Sequence, residues 1–390
     1  MSVWDELTGQ REAIAVFQSA ARSALVAAQN ATVSDGSAMT HSWLITGPPG
    51  SGRSNLAYAF AAALLSPGTG EGDDATARQV AARTHPDLGV LATEGVIIKM
   101  EDVRKIVASS QFSPSVSRYR VMVIEDADRM AERTSNVLLK ALEEPPPRTV
   151  WILCAPSEAD LIPTIRSRVR TVRLRIPSVD EVAELLVRRN GVDPASAERA
   201  ARESQSHIGM AQRLATNADA RQRRSQTLQL ALGISTVSDA VLAAGTLLEL
   251  AADDAKAITQ ERDAQERANA LRSLGVEPGG TIPAALRSQL KAMEDDQKRR
   301  ATRSLRDGID RILVDLLSLY RDVLLLQLGA PTEPVNLAIR SELEAAASSS
   351  TAASTLATLD AIAAARERID GNVAPALALE SMLITARRGP

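Results

Sequence analysis

The chain has 390 residues, enough for two or three domains that each bury a core. Aromatic residues make up only 2% of it, which argues against a surface that binds single-stranded nucleic acid by stacking bases. The net charge of −3 argues against a strongly basic nucleic-acid-binding protein. Cys154 is the only cysteine, which excludes intrachain disulfides and zinc sites made of several cysteines.

The first residues, Met-Ser-Val-Trp-Asp-Glu, lack the basic flank and the apolar segment of a signal peptide. No apolar run approaches the length that crosses a bilayer. We therefore expect a cytoplasmic protein without a membrane-spanning segment.

Short apolar runs alternate with helical patterns in the first half of the chain. A helix is predicted over 54–65, and 66–74 has the composition of a flexible connection. Strands alternating with helices predict βαβ units and a parallel sheet covered on both faces. The predicted strands are 43–45, 120–124, 150–154 and 171–174.

Strand signals fade after Pro177, and helical patterns replace them. Ser178 and Glu181 form a capping box that begins a helix, which should end at Asn190-Gly191. Apolar residues spaced three and four apart over 305–326 predict one face of a long helix. Further helices are predicted over 194–204 and 342–365. The second half of the chain is therefore expected to be helical.

Residues 47–54 follow a predicted strand and open a predicted helix, the context of a phosphate-binding P-loop. Arg53 stands where the motif G-x-x-x-x-G-K-[ST] has lysine, and Ser54 is the residue that could ligate Mg²⁺. Because a guanidinium is planar, forked and longer than an ammonium, nucleotide binding is left open. The candidate nucleotide-binding residues are Gly47, Pro48, Pro49, Gly50, Ser51, Gly52, Arg53 and Ser54.

Glu125 and Asp126 directly follow an apolar strand, where a P-loop ATPase has an aspartate that orders Mg²⁺ and then a glutamate that polarises water. Here the order is reversed, so each carboxylate has the wrong reach by one methylene, about 1.5 Å. A misplacement of that size costs on the order of 10²-fold in rate. The alternative is that these are solvated carboxylates at a strand end, which is the favoured explanation of Asp128.

Arg166, Arg168 and Arg170 alternate just before the last predicted strand. An arginine at the edge of an ATPase domain can reach a neighbour's site and stabilise charge on the γ-phosphate. Spacing alone favours the simpler interpretation, a strand edge with exposed arginines.

Several segments in this order resemble a known family. Residues 136–146, NVLLKALEEPP, resemble the N-x-LLK-x-LEEPP segment of bacterial clamp-loader AAA+ subunits. Residues 164–168, TIRSR, resemble that family's Ser-Arg-Cys motif, with Val169 in place of the cysteine. With HSWL at 41–44 and HPDL at 85–88, the chain is most similar to the delta-prime family of DNA polymerase III. The similarity is strong over 1–177, weakens after it and recurs at 319–324.

The resemblance implies an α/β AAA+ P-loop domain with a parallel sheet over 1–176, a small helical lid over 177–222 and an all-α collar over 223–390. It implies that Arg168 acts in trans as an arginine finger in the ATP site of a gamma/tau-type subunit. Arg166 and Arg170 would then be structural or phosphate-steering. The implied partners are gamma/tau-type and delta-type subunits in a hetero-pentamer, the sliding clamp, and primed DNA through the complex.

The chain also departs from this family in ways that weaken an ATPase site. Ala155, near the sensor-one position, has no hydroxyl, and Gly209 stands at the apparent sensor-two arginine. Zinc is not expected, because the segment between Leu65 and His85 has none of the four cysteines that many such subunits carry. His41, His85 and His207 lie far apart in the sequence, and no metal site is predicted.

We therefore expect a rigid clamp-loader subunit that does not hydrolyse ATP and that helps to load the sliding clamp during DNA replication. It would be a component of the DNA-directed DNA polymerase holoenzyme, a nucleotidyltransferase complex, without ATPase or polymerase activity of its own. The alternatives are a clamp-loader subunit that hydrolyses ATP with a variant P-loop, using ATP or ADP with Mg²⁺, and a free-standing AAA+ DNA-repair motor.

Two basic clusters add no function to this interpretation. Arg221, Arg223 and Arg224 are interpreted as an exposed linker, and the cluster at 298–306 as a solvated helix face. Contact of either cluster with DNA is the alternative.

Overall fold

A computed structural model describes residues 2–4, 7–30, 39–67, 72–93, 95–273 and 287–387. The chain divides into two compact units, Met1–Thr216 and Asn217–Pro390. Among the described helices, none combines the length and the apolar character that crossing a membrane requires. The predicted division at 176 and 222 into three domains stays a prediction.

The first unit contains a five-stranded parallel sheet in the order β2-β3-β4-β1-β5. The four predicted strands are confirmed, and β2 was missed because it is short and contains Gly89. In parallel sheets the helical crossovers bring all strand carboxyl ends to one edge, where the P-loop follows β1. The strands are β1 (Ser42–Thr46), β2 (Leu88–Leu91), β3 (Arg120–Ile124), β4 (Thr149–Ala155) and β5 (Arg170–Arg173).

Helices cover both faces of this sheet, as predicted from its nearly continuous apolar strands. Alternate residues of β1 face different cores: Trp43 packs with Phe17 and Phe60 on one face, and Leu44 belongs to the core on the other. The sheet helices are α1 (Arg11–Asn30), α2 (Arg53–Leu65), α3 (Asp74–Ala81), α4 (Met100–Ser110), α5 (Glu132–Glu143) and α6 (Pro163–Arg166).

Three further helices complete the first unit: α7 (Val179–Asn190), α8 (Pro194–Glu203) and α9 (Ile208–Thr216). The predicted capping box is confirmed, because the Ser178 side chain accepts from the Glu181 backbone and the Glu181 side chain accepts from the Ser178 backbone. Gly191 ends α7 with a φ of 65°, a conformation that costs glycine little.

The described regular elements of the second unit are helical. The predicted long helix is confirmed and extends further than its pattern suggested, with Ile309, Leu316 and Val323 buried in the core of the unit. The predicted helical stretch 342–365 is two helices, because Ser349 and Thr351 end one and cap the next. The helices are α10 (Ala218–Leu232), α11 (Val237–Ser273), α12 (Arg287–Gln327), α13 (Arg340–Ser348), α14 (Ala352–Asp370) and α15 (Pro375–Ala386).

The exposed-linker interpretation of 221–224 is wrong. These residues lie inside α10, and Arg224 is only 8% exposed. Its Nε donates to Asp315 at 2.9 Å and its Nη2 donates to Asn336 at 2.6 Å. This polar stretch was interpreted as a linker because its sequence does not show that one of its arginines has acceptors elsewhere in the chain.

The solvated-face interpretation of 298–306 is correct only in part. Lys298 is exposed, but Arg300 is 8% exposed and lies 3.6 Å from Asp263. Arg306 donates to Asn372 at 2.6 Å. Contacts within the unit therefore account for several of these basic side chains, including Arg303, which lies 3.7 Å from Asp307.

Candidate functional site

The P-loop lies between β1 and α2, where the sequence placed it. Gly50 and Gly52 have φ of 79° and 93°, which L side chains rarely adopt. The Gly47 amide donates to the Pro156 carbonyl at 3.1 Å, which ties the start of the loop to the end of β4. Pro48 and Pro49 have no amide N–H to offer a phosphate. The loop thus has the P-loop backbone with fewer donors than its length suggests.

Arg53 is turned onto its own loop. Its Nη1 donates to the Gly47 carbonyl oxygen at 2.6 Å, and the side chain is half-buried. This hydrogen bond uses one donor of the guanidinium inside the protein, so that donor is not directed at a phosphate. This contact ties the Arg53 side chain to the first residue of the loop.

Glu125 receives three donors from the chain itself. Ser54 Oγ donates to Oε2 at 3.0 Å, while Tyr58 Oη and Arg83 Nη2 reach Oε1, the latter at 2.7 Å. Arg83 also lies over the Tyr58 ring, 5.7 Å from its centroid. Burial, and then the hydrogen bond to Glu125, raise the pKa of Tyr58, which keeps its hydroxyl protonated as a donor. The carboxylate expected to serve a metal is therefore neutralised by a guanidinium.

Asp126 lies near a different arginine from the one that pairs with Glu125. Its backbone is left-handed, with a φ of 51°, and its Oδ2 lies 3.8 Å from the Nε of Arg129. Asp128 is half-buried with its Oδ1 out of solvent, and burial raises its pKa, so the interpretation of Asp128 as a solvated carboxylate is correct only in part. The two residues of the acidic motif thus face different partners.

The segment that begins α9 contacts the P-loop directly. A Cβ added to Gly50 would lie 2.3 Å from Cγ of the His207 ring, and the Ile208 amide donates to the Gly50 carbonyl at 3.2 Å. Beside this contact remains a cavity of about 10 Å³, the space of one water molecule. It is lined by Leu7, Thr8, Gln10, Ser51, Gly52, Asn55, Leu56, Leu185 and Ile208.

Gln10 hydrogen-bonds both to the P-loop and to the segment that follows β5. Its Nε2 donates to the carbonyl oxygens of Ser51 and Arg175, at 3.3 and 2.8 Å, and its Oε1 accepts from the Arg175 amide at 3.2 Å. Gln10 is only 6% exposed. One buried amide therefore links the P-loop to the strand-end segment that precedes α7.

These residues do not fit a Mg²⁺-nucleotide in the usual way. The Arg53 guanidinium is bonded to a loop carbonyl, the Arg83 guanidinium is bonded to Glu125, and the His207 ring lies on Gly50. Ala155 is buried at the end of β4, and Gly209 lies in the first turn of α9, so neither supplies a polar side chain.

Arg168 lies just after α6, apart in sequence from these P-loop contacts. Its Nε donates to Glu143 Oε1 at 2.6 Å, its Nη2 forms an ion pair with the same carboxylate, and its Nη1 donates to the Thr164 carbonyl at 2.7 Å. Arg170 stacks on Trp43, 5.1 Å from the ring centroid, which favours a structural role, and Arg166 is exposed. The structure thus separates the three alternating arginines into different environments.

Sequence reasoning missed four of the residues that shape the site: Gln10, Tyr58, Arg83 and His207. Tyr58 could have been found, because it is four residues after Ser54 on the same helix face. Arg83 follows α3 in a left-handed conformation with a φ of 57°, which no pattern signalled.

Comparison with known proteins supports the same family. A family model described as DNA polymerase III, delta subunit, matches residues 24–178. DNA polymerase III subunit delta' of Pseudomonas aeruginosa is 33% identical over 163 residues, 40% of this chain and 50% of that protein. The Haemophilus influenzae subunit delta' is 31% identical over 157 residues, 39% of this chain and 48% of that protein.

The chain therefore spans about half the length of these curated relatives. A solved structure of a DNA polymerase III gamma subunit-related protein from Thermotoga maritima is 18% identical, with a TM-score of 0.38, over 88% of this chain and 93% of that one. The predicted likeness to delta-prime clamp-loader subunits is confirmed over the region that matches.

Proposed function

We propose that this chain, similar over its first unit to delta-prime subunits, is a clamp-loader subunit that does not hydrolyse ATP. In this proposal Arg168 enters the ATP site of an adjacent gamma/tau-type subunit and stabilises charge that develops on the γ-phosphate. The chain would contribute one guanidinium and a fixed geometry, while nucleotide-driven motion elsewhere opens the clamp.

The observation that carries the proposal is that Glu125 receives its hydrogen bonds and its positive partner from the chain itself. In a working P-loop ATPase this carboxylate orders Mg²⁺, but here the Arg83 guanidinium supplies a positive charge at 2.7 Å. A metal ion would have to displace that guanidinium against like-charge repulsion. The contact between Arg53 and Gly47 opposes nucleotide binding at the neighbouring position as well.

The assembly belongs to the same proposal. Residues 177–222 would act as the helical lid and 223–390 as the collar that holds the subunit in a hetero-pentamer with gamma/tau-type and delta-type subunits. The pentamer would act on the sliding clamp and primed DNA in the cytoplasm. The names of the relatives support membership of the polymerase III machinery.

Purified alone, the chain should show neither tight ATP binding nor ATP turnover. In a loader reconstituted with its partner subunits, Arg168→Ala should reduce DNA-stimulated turnover at the neighbouring site by on the order of 10³-fold. Arg166→Ala, which removes an exposed arginine two residues away, is the matched control and should reduce turnover far less than Arg168→Ala.

Arg53→Ala separates this proposal from the alternative of an active subunit with a variant P-loop. The proposal predicts that its effect is small beside that of Arg168→Ala. Clear turnover by the isolated chain, or a larger loss in Arg53→Ala, would contradict the proposal.

A further inference from the structure

The guanidinium of Arg168 is held by its own chain through all three of its nitrogens. Nε and Nη2 both contact Oε1 of Glu143, and Nη1 donates to the Thr164 carbonyl at 2.7 Å and to Ser167 Oγ at 3.1 Å. Each nitrogen of the fork thus has at least one partner within the chain. A guanidinium has five N–H donors, and these contacts use four of them.

The backbones that carry this pair are fixed. Leu142, next to Glu143, is 1% exposed, and Ile165 of α6 is fully buried in the same apolar core. The side chains of the pair are 31% and 45% exposed, so they can move without disturbing the core. Opening the pair is therefore a side-chain event, not a change of fold.

Helix stability does not explain the position of Glu143. It is the last residue of α5, where the helix dipole disfavours a carboxylate. Glu144, the next residue, is also acidic and exposed. The ion pair with Arg168 is the favourable interaction that the structure gives Glu143.

A paired guanidinium cannot act as an arginine finger. The carboxylate neutralises its charge, and carrying the carboxylate along would set a negative group beside the phosphates. The pair must therefore open before Arg168 stabilises a transition state. We infer that Glu143 is a positioning residue that holds Arg168 in a disengaged conformation until the neighbouring site is assembled, an inference that rests on the proposed function.

The test compares Glu143→Gln with Glu144→Gln in the reconstituted loader. Glu143→Gln keeps the side-chain size and removes the charge. It should raise ATPase activity without DNA by roughly two- to fivefold, the range expected from ion pairs of this exposure. DNA-stimulated activity should stay unchanged, so the ratio of the two rates falls. Glu144→Gln should change neither rate.

The double variant Glu143→Gln/Arg168→Ala shows whether Glu143 acts through Arg168. Its activity should equal that of Arg168→Ala, because releasing an absent finger has no effect. A fall of activity in Glu143→Gln would overturn the inference, since Glu143 would then orient the engaged finger. No change in Glu143→Gln would overturn it as well.

A measurement on the full chain alone separates this inference from the proposed function. Arg168 Nε–H should exchange with solvent more slowly than Arg166 Nε–H in nuclear magnetic resonance spectra, and Glu143→Gln should remove the difference. If Arg168→Ala leaves loader activity intact, the proposed function fails. If Arg168→Ala is inactive but Glu143→Gln alters neither exchange nor basal activity, only the inference fails.

Discussion

Replacing Arg83 with alanine tests whether a guanidinium of the protein serves Glu125 in place of a metal ion. The variant removes the 2.7 Å contact with Glu125 Oε1 and the contact with the Tyr58 ring at 5.7 Å. Ser54 and Tyr58 remain as donors, so Glu125 keeps two hydrogen bonds but loses its only cation among these partners.

The size of the expected stability loss follows from the exposure of the two side chains. The Arg83 side chain is 49% exposed and that of Glu125 is 17% exposed, so the ion pair is worth at most about 1 kcal/mol after solvent screening. The ring contact adds about 0.5–1 kcal/mol. The variant should therefore lose about 0.5–2 kcal/mol, which lowers the melting temperature of a unit of this size by roughly 1–8 °C.

Urea denaturation followed by circular dichroism measures this loss, with Arg78→Ala as the control. Arg78 is an exposed arginine on α3, so its variant has the same change of net charge. The loss in Arg83→Ala should shrink in ~1 M salt, because salt screens a half-exposed pair. An equal loss in both variants, or a loss that salt leaves unchanged, would refute the reasoning.

Two further predictions concern the contacts that hold the site. Gly50→Ala should destabilise the protein more than Gly191→Ala, because both have positive φ but only the Gly50 Cβ would meet the His207 ring. His207→Ala should recover the difference in urea denaturation, and equal losses in the two glycine variants would contradict this. Asp87 is fully buried; burial opposes its charge, but the amides of residues 115–117 outweigh that and lower its pKa. The charged Asp87 carboxylate therefore contributes its full stabilisation above about pH 3.8, its ordinary pKa. That stabilisation is lost as the pH falls through the lower pKa that Asp87 has in the folded protein. The stability gap between wild type and Asp87→Asn should narrow below about pH 3.8, and a gap that stays constant to pH 2 would contradict the assignment.

Local patterns were sufficient for most of the fold. The apolar run 120–124 became β3 with the predicted limits, and the capping box at Ser178 began α7. These features depend on neighbours within a few residues, which the sequence displays directly. The family resemblance likewise depended on contiguous motifs, and comparison confirmed it over residues 24–178.

Local patterns failed where a partner is distant in the sequence. Arg224 looked like part of a linker, but its acceptors Asp315 and Asn336 are 91 and 112 residues away. Polar composition alone cannot distinguish an exposed arginine from a buried one with distant acceptors. The strand β2 was missed for a local reason, since it has only four residues and contains Gly89.

The sequence by itself determined that the P-loop has arginine in place of lysine and that the acidic pair is reversed, because both are statements about residue identity at fixed spacing. Only the tertiary structure decided which partners these charged residues contact. Arg83 comes 42 residues before Glu125, and Glu143 comes 25 residues before Arg168. Which arginine meets which carboxylate depends on the strand order and on the packing of α5 against α6. Charges pair by distance in space, and a linear pattern does not contain that distance.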